Sequence, residues 1–234
     1  MMIRRILSNY KYRIKRCISK SDLRNRILIK NYLNKHHVAM LQIGCGHHRL
    51  PNWLNVDISY DRCAEGAVYM DAGEPFPIPD ASIDYVFSEH LFEHLTFPQA
   101  ENMLKECHRV LKPRGIMRIA TPNLQFLVDL YQNPEKTINK RYIEWSANGG
   151  GGGLKIPNSP VYVINKFHTE WGHQIIYDAE TLKALLINNG FDEICMCNIG
   201  ESKHEELRNV EGHQYCMPPD FCALETMIIE ASNK

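Results

Sequence analysis

Short apolar runs alternate with stretches of helical periodicity along the chain from residue 38 onward. The apolar runs predict seven strands, at residues 38–43, 53–56, 67–70, 83–87, 116–120, 194–197 and 226–230. The helical stretches predict one helix after Phe97 that stops before Pro113, one over 124–132, and one over 179–189 that Asp178 caps. Alternating strands and helices are typical of a doubly wound α/β sheet.

The composition is typical of one domain of this class and also indicates the cellular compartment. The 234 residues are 44% hydrophobic and 23% charged, which is ordinary for a globular protein. No apolar run approaches the roughly 20 residues that a membrane span needs, and no signal peptide is evident. Eight cysteines form no CxxC pair. We therefore expect a cytoplasmic protein with reduced thiols.

The first 37 residues differ from the rest in charge. They carry eleven Lys and Arg and one acid, a net charge of +10 that leaves −10 on residues 38–234. Apolar side chains recur among them at near-helical spacing: Ile3, Ile6, Leu7, Tyr10, Ile14 and Ile18. We predict a basic amphipathic helical extension that packs on the domain, contacts a second copy of the chain, or lies on an anionic membrane. Nucleic acid is disfavoured, because the body is acidic and lacks an aromatic-studded basic groove.

Five consecutive glycines interrupt the second half of the chain, from Gly149 to Gly153. They lie in an insertion, residues 133–177, that is rich in Tyr, Trp, His and Asn. A polyglycine run has no intrinsic order. We interpret the insertion as a mobile lid over a substrate, with a disordered surface loop as the alternative.

A glycine turn and an acid suggest a nucleotide pocket at the first two strands. Gly44-Cys45-Gly46 follows the first strand and Asp57 ends the second. A carboxylate at a strand's carboxyl end can accept both ribose hydroxyls. The dinucleotide fingerprint is broken by Arg49 where its third glycine should stand, and Asp57 comes too early. An adenosine cofactor other than NAD fits better, and the first crossover helix must be short or absent.

The segment His90-Leu91-Phe92-Glu93-His94 matches an inverted zinc-protease motif. Two histidines at i and i+4 on a helix could share a metal, with Glu93 as general base. The motif directly follows a buried strand, and no third-ligand helix is evident downstream. We therefore predict no metal, and keep a zinc hydrolase only as a distant alternative.

Three segments together carry a family resemblance: "LQIGCGHHRLPNWLNVDIS", "YMDAGEPFPIPDASIDYVFSEHLFEHL" and "LKECHRVLKPRGIMRIATPN". In this order they resemble the class I S-adenosylmethionine-dependent methyltransferases, most closely a type 11-like bacterial branch associated with surface-polysaccharide and small-molecule modification. The resemblance covers residues 38–125 strongly, and 178–231 also fit. It implies a methyltransferase domain over 38–234, a Rossmann-like seven-stranded sheet whose last two strands form an antiparallel edge pair, and S-adenosylmethionine as cofactor.

The resemblance also implies which residues bind the cofactor. Gly44, Cys45 and Gly46 would approach its methionine part, and Asp57 would bind the ribose hydroxyls. The remaining contacts would lie beside the adenine or near the sulfonium: Asp71, Ala72, Ser88 and His90. The family usually has an acid two residues before the first glycine, where this chain has Gln42.

Acceptor and base are predicted from the insertion and the late loop. A hydroxyl acceptor needs a base near neutral pH, for which His168, His173 and His90 are the candidates. The predicted acceptor contacts are Tyr142, Trp145, Trp171, Tyr177, Glu201 and Arg208. The sequence thus predicts methyl transfer to an oxygen of a small-molecule or sugar-containing acceptor. A non-catalytic S-adenosylmethionine-binding scaffold is the main alternative.

Overall fold

A seven-stranded sheet forms the centre of the protein, in a computed structural model that describes residues 22–64 and 66–234. The strands are β1 Met40–Ile43, β2 Leu54–Asp57, β3 Val68–Tyr69, β4 Ile83–Glu89, β5 Leu111–Pro122, β6 Phe191–Cys197 and β7 Thr226–Asn233. The helices are α1 Asp22–Lys35, α2 Tyr60–Ala64, α3 Phe97–Val110, α4 Leu124–Gln132, α5 Thr137–Ala147, α6 Pro160–Thr169, α7 Ala179–Asn188 and α8 Pro219–Glu225. All seven predicted strands are present.

The strand order is β3-β2-β1-β4-β5-β7-β6. The pairs from β3 through β5 are parallel, whereas β7 is antiparallel to both β5 and β6. The predicted doubly wound sheet with an antiparallel end is confirmed. Because β7 lies between β5 and β6, β6 is the edge strand. The order reverses between β1 and β4, where ligands of such sheets bind beyond the carboxyl ends of the strands.

Local sequence signals account for several boundaries. Thr96 and Gln99 form a capping box at the start of α3, and the Asp178 side chain accepts from the Thr181 amide at the start of α7. The α3 helix ends before Pro113, as predicted. The strand β5 begins earlier than predicted, because the Pro-Arg-Gly turn forms an irregularity within it, with Arg114 at φ +64°.

A turn replaces the first crossover helix, as the early position of Asp57 predicts. Gln42 holds this turn: its Nε2 donates to the His48 carbonyl at 2.8 Å, and its Oε1 accepts from the Leu50 amide at 3.1 Å. The side chain that stands in place of the family's acid is therefore buried and structural.

The predicted basic extension is described only in part. Its apolar residues 3–18 lie outside the described residues. The helix α1 buries Ile29 in the main core, and Leu28, Tyr32 and Leu33 pack against that core. Within the described residues, no helix is both long enough and apolar enough to cross a membrane.

A second apolar cluster forms around the predicted insertion. The helices α5 and α6 pack with α4 and α8 through aromatic side chains that include Phe126, Tyr142, Phe167 and Phe221. This cluster lies beside the main core of the sheet and forms one wall of the site described next.

Candidate functional site

The Gly-Cys-Gly turn closes on Asp57 at the switch point of the sheet. Gly44 and Gly46 have φ of +71° and +50°, values that favour glycine. The amides of Gly44 and Cys45 donate to the Val56 carbonyl, at 3.0 and 3.1 Å. The Gly46 amide donates to Asp57 Oδ2 at 2.9 Å. The sequence therefore folds the turn back onto the end of β2.

Space and hydrogen-bonding capacity remain at this turn. Among the described residues other than Gly46 and its chain neighbours, no heavy atom lies within 4 Å of where a Cβ on Gly46 would stand. Asp57 Oδ1 accepts from the Ser59 amide at 2.6 Å, so each carboxylate oxygen has one backbone donor. A carboxylate accepts about four hydrogen bonds. Asp57 can therefore still accept both hydroxyls of a ribose.

The other predicted cofactor residues follow the neighbouring strands. Asp71 lies just after β3, and its Oδ1 accepts from the Gly73 amide at 2.9 Å. Ala72 is buried beside it. Ser88 is fully buried near the end of β4, and its hydroxyl finds no hydrogen-bond partner in the described part of the chain. The residues present fit an adenosine cofactor along this edge.

A cavity of about 220 Å³ opens farther along the same edge, beyond the ends of β4 and β5. Four histidines and two glutamates line it together with aromatic side chains. These titratable groups are His90, Glu93, His94, His173, His213 and Glu225. The cavity exceeds the roughly 150 Å³ that admits benzene in another protein. It therefore has room for a group the size of one ring.

The structure separates the predicted acceptor contacts into three places. Tyr142, Trp145 and Trp171 line the cavity. Tyr177 instead packs in the main core, with its ring 5.2 Å from that of Phe92.

Glu201 and Arg208 line a separate and more open groove beside β6. Arg208 Nε donates there to the Ser202 carbonyl at 2.9 Å. This groove does not share its lining with the cavity, so the structure does not bring these two residues to the aromatic wall.

The three candidate bases also separate. His173 and His90 line the cavity, whereas His168 is exposed on α6 and is not part of the lining. His173 Nδ1 lies 2.8 Å from the Phe167 carbonyl, a contact in which the ring nitrogen donates. This contact fixes the tautomer with Nε2 as the acceptor. Burial lowers the pKa of His173, and the charge of Glu93 offsets part of that effect.

His90 is linked by hydrogen bonds to two buried residues, Glu93 and Thr121. Its Nδ1 lies 3.2 Å from Glu93 Oε1, and Glu93 Oε2 accepts from the Thr121 hydroxyl at 3.0 Å. Burial lowers the pKa of His90, but the hydrogen bond and charge of Glu93 outweigh it and raise the pKa. The backbone of His90 has φ +45°, an uncommon conformation for a non-glycine residue.

The HLFEH segment does not form the helix that a zinc protease needs. Only Phe92–His94 is helical, as one 3₁₀ turn. The two histidines therefore diverge. The His90 ring packs against His213 in a tilted arrangement with centroids 3.8 Å apart, and the His94 ring meets His173 edge-on with centroids 4.8 Å apart. The structure contradicts the helical zinc-protease interpretation.

The glycine run is packed rather than free. Gly150–Gly152 form a 3₁₀ turn. A Cβ on Gly150 would stand 2.3 Å from the Trp145 ring, and one on Gly153 would stand 2.2 Å from Lys166 Cε. Lys166 Nζ donates to the carbonyls of Ser146 and Gly150, both at 3.1 Å. Glycine here permits close contact with the cavity wall, and the interpretation of the insertion as a mobile lid stays a prediction.

Sequence reasoning missed His213 and Glu225 entirely. They lie after β6, far along the chain from His90, and no local motif marks either one. Glu93 and His94 were noted only as part of the zinc motif. The HLFEH pattern therefore marks three residues of the cavity, His90, Glu93 and His94, although they do not form the zinc-binding helix that the pattern predicts.

Comparison with known protein families finds a match over the segment that forms the predicted cofactor site. Residues 41–119 match a family model described as a methyltransferase domain. A probable S-adenosylmethionine-dependent methyltransferase of Mycobacterium tuberculosis (strain ATCC 25618 / H37Rv) is 32% identical over 123 residues, which are 53% of this chain and 32% of the relative. Another from Mycolicibacterium smegmatis is 37% identical over 76 residues, 32% of this chain and 25% of the relative.

The chain spans about a third or less of the length of these curated relatives. Among solved structures, a SAM-dependent methyltransferase from Archaeoglobus fulgidus is 20% identical with a TM-score of 0.49, covering 97% of this chain and 98% of that one. The family match includes the Gly-Cys-Gly turn, Asp57, Asp71 and Ser88. The part of the chain that builds the predicted cofactor edge is therefore similar to a methyltransferase domain.

Proposed function

We propose that the protein transfers a methyl group from S-adenosylmethionine to an oxygen of a small-molecule or sugar-containing acceptor. One observation carries the proposal. The glycine turn on Asp57, at the switch point, and the cavity beside His90 both lie at the carboxyl ends of the strands, on the same side of the sheet. The first site suits an adenosine cofactor and the second a ring-sized acceptor. The matched methyltransferase domain and the names of the two relatives support the same activity.

The residues divide the work between two sites. The open turn at Gly46 leaves room for the donor and the carboxylate of Asp57 binds its ribose, with Asp71, Ala72 and Ser88 farther along the edge. S-adenosylmethionine supplies an activated methyl group on its sulfonium sulfur. The aromatic wall of Tyr142, Trp145 and Trp171 holds the acceptor in line, and alignment of this kind supplies much of the acceleration.

His173 is the base in this proposal. No residue of 22–64 or 66–234 forms a hydrogen bond with its Nε2, and its Nδ1 is fixed on the Phe167 carbonyl. As the acceptor oxygen bonds to the methyl carbon and the carbon–sulfur bond breaks, Nε2 takes the hydroxyl proton. S-adenosylhomocysteine and a methyl ether are the products. His90, by contrast, has its Nδ1 engaged by Glu93 and its ring packed against His213.

Transfer of labelled methyl groups to a panel of phenols, sugars and nucleotide-sugars tests the function. We expect transfer to at least one hydroxyl acceptor, a loss of at least tenfold in His173→Ala, and little change in His168→Ala, whose side chain is exposed. Binding of S-adenosylhomocysteine without transfer to any acceptor would instead favour the non-catalytic scaffold.

A further inference from the structure

Two histidines and a glutamate from three separate segments meet in the wall of the cavity. His90 follows β4, His213 begins a 3₁₀ turn in the loop after β6, and Glu225 ends α8. One potential ligand atom from each lies within 4.8 Å of the other two. His213 Nε2 is 3.3 Å from Glu225 Oε1.

The hydrogen bonds of His90 engage Nδ1 and leave Nε2 available as a ligand atom. Glu93 accepts from Nδ1, and Glu93 is itself buried and held by Thr121. Among the described residues, the one hydrogen-bond partner of Nε2 is the Thr226 hydroxyl, at a long distance of 3.4 Å. Metal-ligating histidines usually donate their second nitrogen to a carboxylate in this way. The backbone of His90 also has a positive φ, a strained conformation that functional sites commonly retain.

Hydrogen bonds also hold the His213 backbone and the Glu225 side chain in position. The Glu89 carboxylate accepts from the backbone amides of Gly212 and His213, at 2.8 and 3.0 Å. A Cβ on Gly212 would stand 2.4 Å from the His48 ring, so the loop approaches closely there. Glu225 is buried and accepts from the Tyr142 hydroxyl through its second oxygen.

Two imidazoles and one carboxylate are a ligand set that suits Zn²⁺ and other divalent transition metals. Catalytic zinc sites have three protein ligands and keep one position open. Here the three side chains line the cavity, so an open position would face an acceptor. We propose that His90, His213 and Glu225 bind a divalent transition-metal ion.

The ion has a chemical use that rests on the proposed function. A metal-bound hydroxyl loses its proton more readily than a free one. The ion would hold the acceptor oxygen and polarise it, and His173 would accept the proton. Metal binding itself does not depend on methyl transfer and can be measured without it.

Two other clusters are weaker candidates within the described residues. In the first, formed by Glu93, His94 and His173, Glu93 already accepts from His90 and Thr121.

In the second, formed by Cys195, Cys197 and Glu230, Glu230 accepts from Arg118 Nη1 at 2.5 Å. Glu93 thus has both oxygens engaged outside its cluster and Glu230 is paired with a cation, whereas among the described residues Glu225 Oε1 faces only His213 of its own cluster. Both weaker clusters serve as controls.

Titration of the chelator-treated full chain with Zn²⁺ by calorimetry, and with Co²⁺ by visible absorption, tests the site. We expect one equivalent to bind, with the d–d absorption of a four- or five-coordinate Co²⁺. His213→Ala and Glu225→Gln should each weaken binding at least tenfold. His168→Ala, His94→Ala and Cys195→Ala should keep the wild-type affinity.

Each variant is also titrated with S-adenosylhomocysteine and its thermal unfolding is recorded. Folded His213→Ala that still binds S-adenosylhomocysteine but has lost the metal would support the site independently of the proposed activity. The proposal is overturned if the wild type shows no saturable metal binding. It is equally overturned if His94→Ala or Cys195→Ala removes the metal while His213→Ala and Glu225→Gln keep it.

Discussion

A fully buried arginine ties the late loop to the middle of the sheet. Arg118 Nε donates to Glu211 Oε1 at 2.6 Å and Nη1 donates to Glu230 Oε1 at 2.5 Å. Its Nη1 and Nη2 also donate to the carbonyls of Glu201 and Asn198. These contacts fix the loop from Asn198 to Glu211, which leads to His213, against the sheet. At the residue scale, the cluster of the cavity therefore depends on a side chain outside it.

Arg118→Met should destabilise the protein by about 3–5 kcal/mol, because it leaves two buried carboxylates without their cation. Chemical denaturation measures the free energy of unfolding. The matched control is Arg141→Met, whose guanidinium bridges to Asp220 on the surface and should cost less than about 1 kcal/mol. Equal effects from the two substitutions would contradict the account.

His173 sets a pH limit on turnover at the same scale. Burial lowers its pKa, so the neutral base persists below the ordinary histidine value of about 6.5. Because only the neutral form accepts a proton, kcat should be constant at neutral pH and fall on the acid side of about 6.5. His173→Gln should lose both activity and this acid limb. An acid limb that survives unchanged in that variant would remove His173 from the role of base.

At the element scale, one ion pair fixes the proline-rich connection between β3 and β4 against α3. Glu106 accepts from the Phe76 amide and from Arg109, and Arg109 donates to the carbonyls of Phe76 and Ile78. The connection has no regular backbone pairing of its own. These side chains of α3 therefore substitute for it and hold the start of β4.

The same ion pair makes stability depend on pH. The hydrogen bonds from Arg109 hold the pKa of Glu106 below its ordinary value, and partial burial opposes them. A lowered folded-state pKa adds stability that is present above the unfolded pKa and lost as pH falls through the folded one. Between roughly pH 5 and pH 3, the wild type should lose more unfolding free energy than Glu106→Gln. Parallel pH dependences of the two proteins would contradict this linkage.

The glycine run offers a matched pair of substitutions. Gly150→Ala places a methyl against Trp145, whereas Gly152→Ala meets no neighbour in the described part of the chain within 4 Å and adds only the strain of φ +76°. We expect Gly152→Ala to cost about 1–2 kcal/mol and to leave the cavity wall intact. Gly150→Ala should also displace Trp145, which the fluorescence of the tryptophan and the KM for the acceptor would report. Equal shifts in KM for both variants would contradict a packed run.

At the scale of the whole molecule, the sequence determines more of the sheet than of the cavity. Apolar periodicity predicts all seven strands, and Gly44, Gly46 and Asp57 are recognisable because the carboxyl ends of parallel strands meet at one edge. The cavity depends on contacts between distant segments, such as the Glu89 carboxylate with the His213 amide, 124 residues apart. No local pattern encodes such a contact. The convergence of His90 with His213 and Glu225 could therefore only be seen in three dimensions.

In this proposal, the switch point of the sheet binds S-adenosylmethionine through Asp57. Calorimetric titration with S-adenosylhomocysteine, beside NAD, tests it most directly on the wild type, on Asp57→Ala, and on Glu135→Ala as a control with an exposed acid. We predict binding of S-adenosylhomocysteine alone, and at least a tenfold loss of affinity in Asp57→Ala only, because charge-assisted hydrogen bonds to the ribose are removed. Absence of binding to the wild type, or an Asp57→Ala variant that binds as tightly, would contradict the account.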